Sequence, residues 1–569
     1  MVKIRKRGSY ETIEELIAAR YEAPKASWKF NLKNAVDIIM EAVRNKEKIS
    51  IMGDYDVDGI VASAIMKMTL CHLGVEDPYI RIPLRFAEGY GMKPSMLDDI
   101  ESGLVITVDN GITCFDAIKT AHKKGLKVIV TDHHLPAVDE NGKMVLPDAE
   151  CVIDPHVEEM TGESGYDSFS YCGSGIALKL AEALIPDDSE FISKLCSLAA
   201  VATVADAVPM SGENREIVKA GIKQIVDGNT TAGLKEIFRK NNINLSGLST
   251  AVEPHNLINP DILGYRIGPC INAASRVQET AGGAEYPYVM DGGDGAKISL
   301  NCILAEDPRR AETLATALSA FNETRKSMTK SGVEKAEKYI AENKLASDPV
   351  LVVYCPDIKK GIIGIVAGRL CDEYHRPAIV ISGTEMCHGS CRSPEGYHMK
   401  DILDHANAHL EAYGGHAAAA GITVKEEDIK AFREDVKKSF TDKYTLEDAD
   451  DAVEYDLEIA VLEAPGALAE MSSKITPFGE GNPEPVFYVR DFYLQSVSVL
   501  TSKNAGTKHL KLYDGLYNAL MFNVDDADEI AKKLKKMIGK EVPMIATVSY
   551  NCFQGRLTPQ MFIQNLLID

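Results

Sequence analysis

The chain has 569 residues, too many for a single hydrophobic core, so two to four domains are expected. Its 84 acidic against 62 basic residues leave a formal net charge of −22, which excludes a protein that coats nucleic acid through a basic surface but leaves room for an enzyme whose positive charge is confined to one channel. No apolar stretch is long enough to span a bilayer, and the N-terminal MVKIRKRGSYET lacks the apolar core of a signal peptide, so a cytoplasmic protein is expected.

From about residue 48 to 155, short apolar runs alternate with helical stretches. KISIMGDYD, PYIRIP, GLVITVDNG, LKVIVTDHH and CVIDPH read as strands, and IVASAIMKMTLCHLG and FDAIKTAHKKG as helices. Such alternation predicts a parallel sheet wrapped on both faces, with the functional site at the carboxyl ends of its strands. Residues from about 170 to 345 read as mainly helical, ending in a long charged helix that bridges two domains, with an interruption near Ser331-Gly332. A second α/β unit begins near Asp348 with the strand PVLVVYC, the helix GIIGIVAGRLCDEY and the strand RPAIVIS. The acidic run around Asp448 to Glu458 reads as a solvated linker. Beyond it, short strand-like runs with one intervening helix, DEIAKKLKKMIG, suggest a small β-barrel such as an OB-fold.

The chemistry gathers at strand and loop ends. Asp54, Asp56 and Asp58 follow the first strand, Asp109 the VITVDNG strand and Asp132-His133-His134 the LKVIVTDHH strand. Asp206 closes the apolar run VATVADAVP. Each alone has a bland reading, as a solvated turn, a capped loop or a helix end. Together they are the ligand set of a two-metal phosphoesterase, in which two cations about 3.5–4 Å apart lower the pKa of a water and clamp the phosphate oxygens. Carboxylate with imidazole suits Mn²⁺ or Mg²⁺, tilted toward Mn²⁺. The twelve cysteines read as reduced residues of the core. Cys387-His388-x-x-Cys391 lacks the second ligand pair that a zinc site needs.

GDYDVDG, VDNG, TDHH and VATVADAVP, followed in order by RFAEGYGM, GPCINAASR, GIIGIVAGRL, GSCRSPEG, YGGHAAAAG and PFGEGNPEPVF, resemble the motifs of the DHH phosphoesterase superfamily and, within it, of the RecJ single-stranded-DNA exonucleases. The resemblance runs from about residue 45 to the C-terminus. It implies a DHH catalytic domain over residues 1–305, a connecting helix over 306–345, a DHH-associated domain over 346–450 and an OB-fold nucleic-acid-binding domain over 451–569. By the same resemblance Asp56, Asp58, Asp109, His133 and Asp206 would bind two Mn²⁺ or Mg²⁺ ions, with Asp54 a ligand or a support. Asp132 would orient its neighbours, His134 would touch the scissile phosphate or the leaving oxygen, and Arg276 would neutralise the phosphate. Arg85, Ser390 and Arg392 would hold a 5′-terminal phosphate, and His416 would donate to a phosphate. YGGHAAAAG would bring backbone and a helix N-terminus close to phosphate. Tyr488, Tyr550 and Phe553 are candidates to stack bases, or else core residues.

The activity so implied is 5′→3′ degradation of single-stranded DNA to mononucleotides in repair and recombination. The implied protein is a monomer with single-stranded-DNA-binding protein as a partner, and no appended C-terminal partner-binding domain is expected. A phosphodiesterase of the same superfamily acting on short RNA or cyclic dinucleotides and a non-catalytic replication scaffold are the alternatives. The barrel counts against the first and the complete ligand set against the second. Three departures from the family pattern bear on substrate contacts: Cys270 where arginine is common, Ser275 where glycine is usual, and DIKK in place of a Trp-His pair.

Overall fold

The computed structural model describes residues 3–21, 31–157, 171–245, 258–277, 295–445, 452–502, 507–553 and 556–568. Five strands, β1 (Ile49–Met52), β2 (Tyr79–Arg81), β3 (Leu104–Val108), β4 (Lys127–Thr131) and β5 (Cys151–Ile153), form one all-parallel sheet in the order β2-β1-β3-β4-β5. Strands β1 and β3 are buried at every position, because helices cover both faces and no alternation with polar residues is required. Ile51, Ile106 and Ile129 pack on one face, and Met52, Val105 and Val128 on the other. Helix α1 (Val57–His72) follows β1, and helix α2 (Phe115–Lys123) connects β3 to β4. The carboxyl ends of β1, β3 and β4 therefore open on one edge, where GDYD, DNG and DHH stand.

Helices α3 (Gly173–Leu184) and α4 (Ser189–Ala205) build up the first core. Helix α5 (Pro308–Asn343) spans 36 residues, started by the Asp307 carboxylate accepting from Arg310 N at 2.8 Å and by proline in its first turn. Its first half buries Leu314, Leu318 and Phe321 in the first core, and its second half buries Ala336 and Ile340 in a separate one, so it does bridge two units. The interruption expected near Ser331-Gly332 is absent: the helix runs through. Gly332 serves packing instead, since a Cβ there would lie 2.9 Å from Val366 Cγ2, on helix α6 (Ile363–Tyr374) of the second unit.

That unit holds β6 (Leu351–Tyr354), β7 (Ala378–Ser382), β8 (Met386–Arg392), β9 (Leu410–Gly415) and β10 (Ala419–Lys425) in the order β9-β10-β8-β7-β6, with only β6 and β7 parallel. YGGHAAAAG supplies no helix N-terminus. It is the hairpin from β9 into β10: Ala417 and Ala418 form its bend, and Ala419 and Ala420 pair with β8 despite the helical preference of alanine. In β8 the two-residue period sends Cys387 and Cys391 into the core and His388, Ser390 and Arg392 to the opposite face, so the cysteines and the histidine cannot share a metal.

The C-terminal unit is a seven-stranded sheet around a core of Phe487, Leu510, Leu512, Met544, Val548 and Met561. Two expectations are corrected there. Of the acidic run, residues 448–451 lie outside the described residues, and 453–459 are no solvated linker but two short strands. And residues 4–20 belong with this unit, not with the first: strand Ile4–Lys6 pairs in parallel with Val453–Tyr455, and Ile17 is buried in the C-terminal core. The cause is charge. Asp456, 2% exposed, meets Arg7 at 3.0 Å and Arg20 at 3.1 Å and accepts from Val486 N at 2.8 Å. The basic N-terminus and the acidic run neutralise each other. Asp456→Ala is expected to lower unfolding stability by about 2–3 kcal/mol in urea titrations, because it strands two partly buried guanidiniums. Loss of the exposed Arg5–Glu454 pair through Arg5→Ala is expected to cost under about 1 kcal/mol.

Candidate metal centre and its adjoining cavity

The turn after β1 places three aspartates. Asp56 caps α1, its Oδ1 accepting from Asp58 N at 3.0 Å and Gly59 N at 3.1 Å. Gly59 is glycine by necessity, since a Cβ would lie 2.6 Å from Asp54 N. Asp58 is buried, and its two oxygens accept from Gly173 N at 2.6 Å and Ser174 N at 2.8 Å, at the start of α3, where the helix dipole favours a negative charge. Asp109 follows β3 in the left-handed region at φ 60°, which aspartate tolerates better than most residues. Buried Asn110 braces the turn by donating to Met52 O at 3.0 Å and Val108 O at 2.9 Å. Gly173 closes over Asp109 so tightly that a Cβ would lie 2.6 Å from the aspartate's own Cβ.

His133, at the end of β4, brings these elements together. Its Nε2 lies 3.1 Å from Asp109 Oδ1 and 3.8 Å from both Asp58 Oδ2 and Asp206 Oδ2. Asp206 caps the C-terminus of α4. Three groups thus offer ligand atoms within 4.8 Å of one another: Asp109, His133 and His134; Asp58, His133 and Asp206; and Asp54, Asp56 and Asp109.

Burial raises the pKa of Asp54, Asp109 and Asp206 well above the carboxylate range, and repulsion from neighbouring aspartates adds to it. Burial lowers that of His133 and favours the neutral imidazole a metal ion requires. Asp54 Oδ1 and Asp109 Oδ1 are buried without a hydrogen-bond donor; the 3.1 Å approach of His133 lacks hydrogen-bond direction. Lone pairs crowded together without donors call for a shared cation, and oxygen with imidazole suits a hard or borderline divalent one. These residues fit such an ion.

Asp132 behaves differently. Burial pushes its pKa up, but the hydrogen bond and charge of His134, the charge of His133 and the Ile112 N–H outweigh it, leaving the carboxyl below the ordinary range. Its Oδ1 accepts from His133 N at 2.8 Å and lies 2.8 Å from His134 Nδ1. His134, although burial works against its charge, is held up to about 9 by that bond and by Asp132's charge.

Beside this cluster lies a cavity of about 670 Å³ between the first and second units. The first unit contributes Tyr55, Arg85, Tyr90 and Arg276, and the second Lys360, His388, Ser390 and Arg392. Arg85 stacks over the Tyr55 ring at 4.5 Å with Nη1 buried and unpartnered. Arg276 is lowered to about 9, by burial first and then by repulsion from Arg85. Arg392 Nη1 donates to Ser390 Oγ at 3.3 Å and to Cys391 O at 2.8 Å. A helix N-terminus does line the cavity, that of α6. A Cβ on its Gly364 would lie 3.0 Å from Ser390 Oγ and 3.1 Å from Arg392 Nη2. Guanidiniums gathered at a helix N-terminus are the electrostatics of an anion site.

His416 is exposed on the β9–β10 turn and does not line this cavity. Cys270 is buried in the first core, also away from it. Tyr488 packs against the Tyr455 ring, and Tyr550 is partly buried against the C-terminal core. The Phe553 side chain lies outside the described residues. Sequence reasoning missed Tyr90, whose hydroxyl donates to Asp109 O at 3.1 Å and sits 2.8 Å from His134 Nδ1. It also missed Gly173, Gly364 and Lys360. Tyr90 and Gly364 lay inside motifs already noted, and Gly173 inside GSG, but only the fold shows what each faces.

Three family models match in succession: the DHH family, N-terminal domain, at residues 48–203, the DHHA1 domain at 347–442 and the RecJ OB domain at 455–565. The single-stranded-DNA-specific exonuclease RecJ of Bacillus subtilis is 30% identical over 549 residues, 95% of this chain and 63% of its own length. That of Haemophilus influenzae is 29% identical over 560 residues, 94% of this chain and 90% of its own length. Among solved structures, RecJ from Thermus thermophilus in complex with Mn²⁺ superposes with a TM-score of 0.73 at 25% identity, covering 97% of this chain and 74% of that one.

The close fit over Asp109 gives a test that touches no ligand atom. Gly173→Ala is expected to displace Asp109 and weaken binding of Mn²⁺ roughly tenfold or more by calorimetry, with the far-ultraviolet circular dichroism unchanged.

Proposed function

Because the chain belongs to the RecJ family of the DHH phosphoesterase superfamily, we propose that it is a metal-dependent exonuclease that degrades single-stranded DNA from the 5′ end to mononucleotides. The observation that carries this reading is the cavity in which Arg85, Arg276, Ser390 and Arg392 meet beside the aspartate–histidine cluster. One pocket thus offers a grip on a phosphate next to groups suited to cleaving the following one.

Asp54, Asp56, Asp58, Asp109, His133 and Asp206 would hold two Mn²⁺ or Mg²⁺ ions. Bound there, such ions activate a water and draw charge from the phosphate. Arg276 neutralises charge that builds on the phosphate oxygens. Its partial burial strengthens that interaction by excluding water. His134, kept protonated by Asp132, has Nδ1 committed to that carboxylate and keeps Nε2 for the scissile phosphate or the leaving oxygen. Arg85 from the first unit and Ser390 and Arg392 from the second would grip the 5′-terminal phosphate. His416, exposed, is left a peripheral contact at most. A passage between two packed units admits a single strand more readily than a duplex, and the C-terminal sheet would carry the incoming strand.

The division into a catalytic domain to about residue 305, a connecting helix to 345, an associated domain to 450 and a terminal OB-fold is supported by the separate hydrophobic cores, with residues 4–20 joined to the last. We further propose a cytoplasmic monomer acting in repair and recombination with single-stranded-DNA-binding protein as partner. No helix among the described residues is long and apolar enough to cross a membrane.

Asp58→Ala and His133→Ala are each expected to abolish Mn²⁺-dependent release of nucleotides while the fold survives. Activity retained in either would refute the ligand assignment. Arg276→Ala is expected to slow cleavage by roughly 10²–10³-fold. With end-labelled single-stranded DNA, the 5′ label should leave first as a mononucleotide, and Arg392→Ala should erase any preference for a 5′-phosphate over a 5′-hydroxyl. Progressive shortening from the 3′ end would overturn the polarity.

A further inference from the structure

Asp206 is the one proposed ligand that comes from an inter-helix loop, not from the edge of the parallel sheet. The loop runs from Asp206 to Ser211, between α4 and the helix Gly212–Asp227. At its start Asp206 N bonds to Ala202 O at 2.8 Å and Ala207 N to Val204 O at 3.2 Å. Ala207 then sits at φ 56°, a conformation that costs a residue with a Cβ about 1–3 kcal/mol and persists only where the surroundings enforce it.

Those surroundings include a turn from the C-terminal unit. Met210 N donates to Glu480 O at 2.7 Å. Gly479 lies against the Met210 side chain, where an added Cβ would meet Cε at 3.1 Å and Cβ at 3.2 Å, and Gly481, at φ 65°, would come within 3.5 Å of Pro209 Cβ. Met210 is 1% exposed. The turn is itself rigid. Gly479 and Asn482 exchange two backbone hydrogen bonds of 3.0 Å. The buried Asn482 side chain donates to Ile475 O at 2.7 Å and Pro477 O at 3.1 Å. The PFGEGNPEPVF segment therefore presses a stiff, side-chain-free surface onto the far end of the loop whose near end carries Asp206.

We infer that the Gly479–Asn482 turn is a positioning element for the metal centre: docking of the C-terminal unit on Pro209 and Met210 fixes where the Asp206 carboxylate stands. This rests on the reading of Asp206 as a metal ligand. Two glycines suit that role because the contact works by close backbone approach. A ligand oxygen must be held within tenths of an ångström of its ion, so supports one step removed govern affinity. The C-terminal unit is then not only a strand-holding module. Its seating reaches the metal site without touching it.

The test titrates Mn²⁺ into the full-length protein by calorimetry, at a temperature where circular dichroism shows each variant folded. Gly479→Val, which crowds Met210, is expected to weaken Mn²⁺ binding roughly tenfold. Gly479→Val with Met210→Ala, which returns the space, is expected to restore it, a coupling that general destabilisation would not produce. Asn482→Ala loosens the turn without adding bulk and is expected to weaken binding in the same direction. Wild-type affinity in Gly479→Val or in Asn482→Ala, beside weakened affinity in Asp206→Asn, would overturn the inference and leave the ligand reading intact. Wild-type affinity in Asp206→Asn would refute the ligand reading itself, and the inference with it.

Discussion

The constraint on which the structure depends is the crowding of five aspartates and two histidines into overlapping groups with too few donors to satisfy the carboxylates. Buried carboxylates repel one another and resist ionisation, so the cluster carries its full negative charge only when something positive shares it. The protein goes part of the way with its own groups. Two backbone N–H groups at the start of α3 take Asp58, and the first turn of α1 takes Asp56. What remains unsatisfied, Asp54 Oδ1 and Asp109 Oδ1, marks where protein groups end and a cation is required. The neighbouring Asp132, fully donated to, is of the opposite kind: it shapes the site by ordering the two histidines.

The same economy governs the second unit. One strand, β8, meets two demands because its side chains alternate. Cys387 and Cys391 fill the core, while His388, Ser390 and Arg392 face the cavity. Shifting the register by one residue would bury an arginine and expose two thiols, so the hydrophobic core and the anion site specify each other. Gly364 completes the arrangement by letting the first turn of α6 approach the serine and arginine closely, where a Cβ would push them back by a few tenths of an ångström.

Much of this was legible in the sequence, for identifiable reasons. The parallel sheet could be read because β1, β3 and β4 are continuous apolar runs, each followed at once by Asp, Asn or Gly. The aspartates and histidines could be read because polar residues have little reason to cluster where such strands end. What could not be read were contacts between segments far apart in the chain. Gly173 lies against Asp109, and Tyr90 against His134. The acidic run near residue 454 looked solvated because its basic partner stands at the other end of the chain, at Arg7 and Arg20. The helix expected from YGGHAAAAG failed for the same reason: alanine's local preference is small and a three-strand pairing outweighs it. Local propensity also favoured a break at Gly332, where packing against Val366 kept the helix whole.

Charge also bears on why such a protein would engage a chain end. With a net charge of −22, the protein as a whole repels a phosphate backbone. Attraction is gathered where Arg85, Arg276 and Arg392 converge in the cavity and where cations would sit. An interior stretch of DNA reaching that cavity would drag flanking phosphates across repulsive ground on both sides, whereas an end enters with one flank only and presents a terminal phosphate of higher charge. Acidic composition, which at first argued against nucleic acid, thus becomes a selective device in the proposed reading. It leaves the end of a strand as the form of substrate whose gain in the cavity exceeds its cost at the surface.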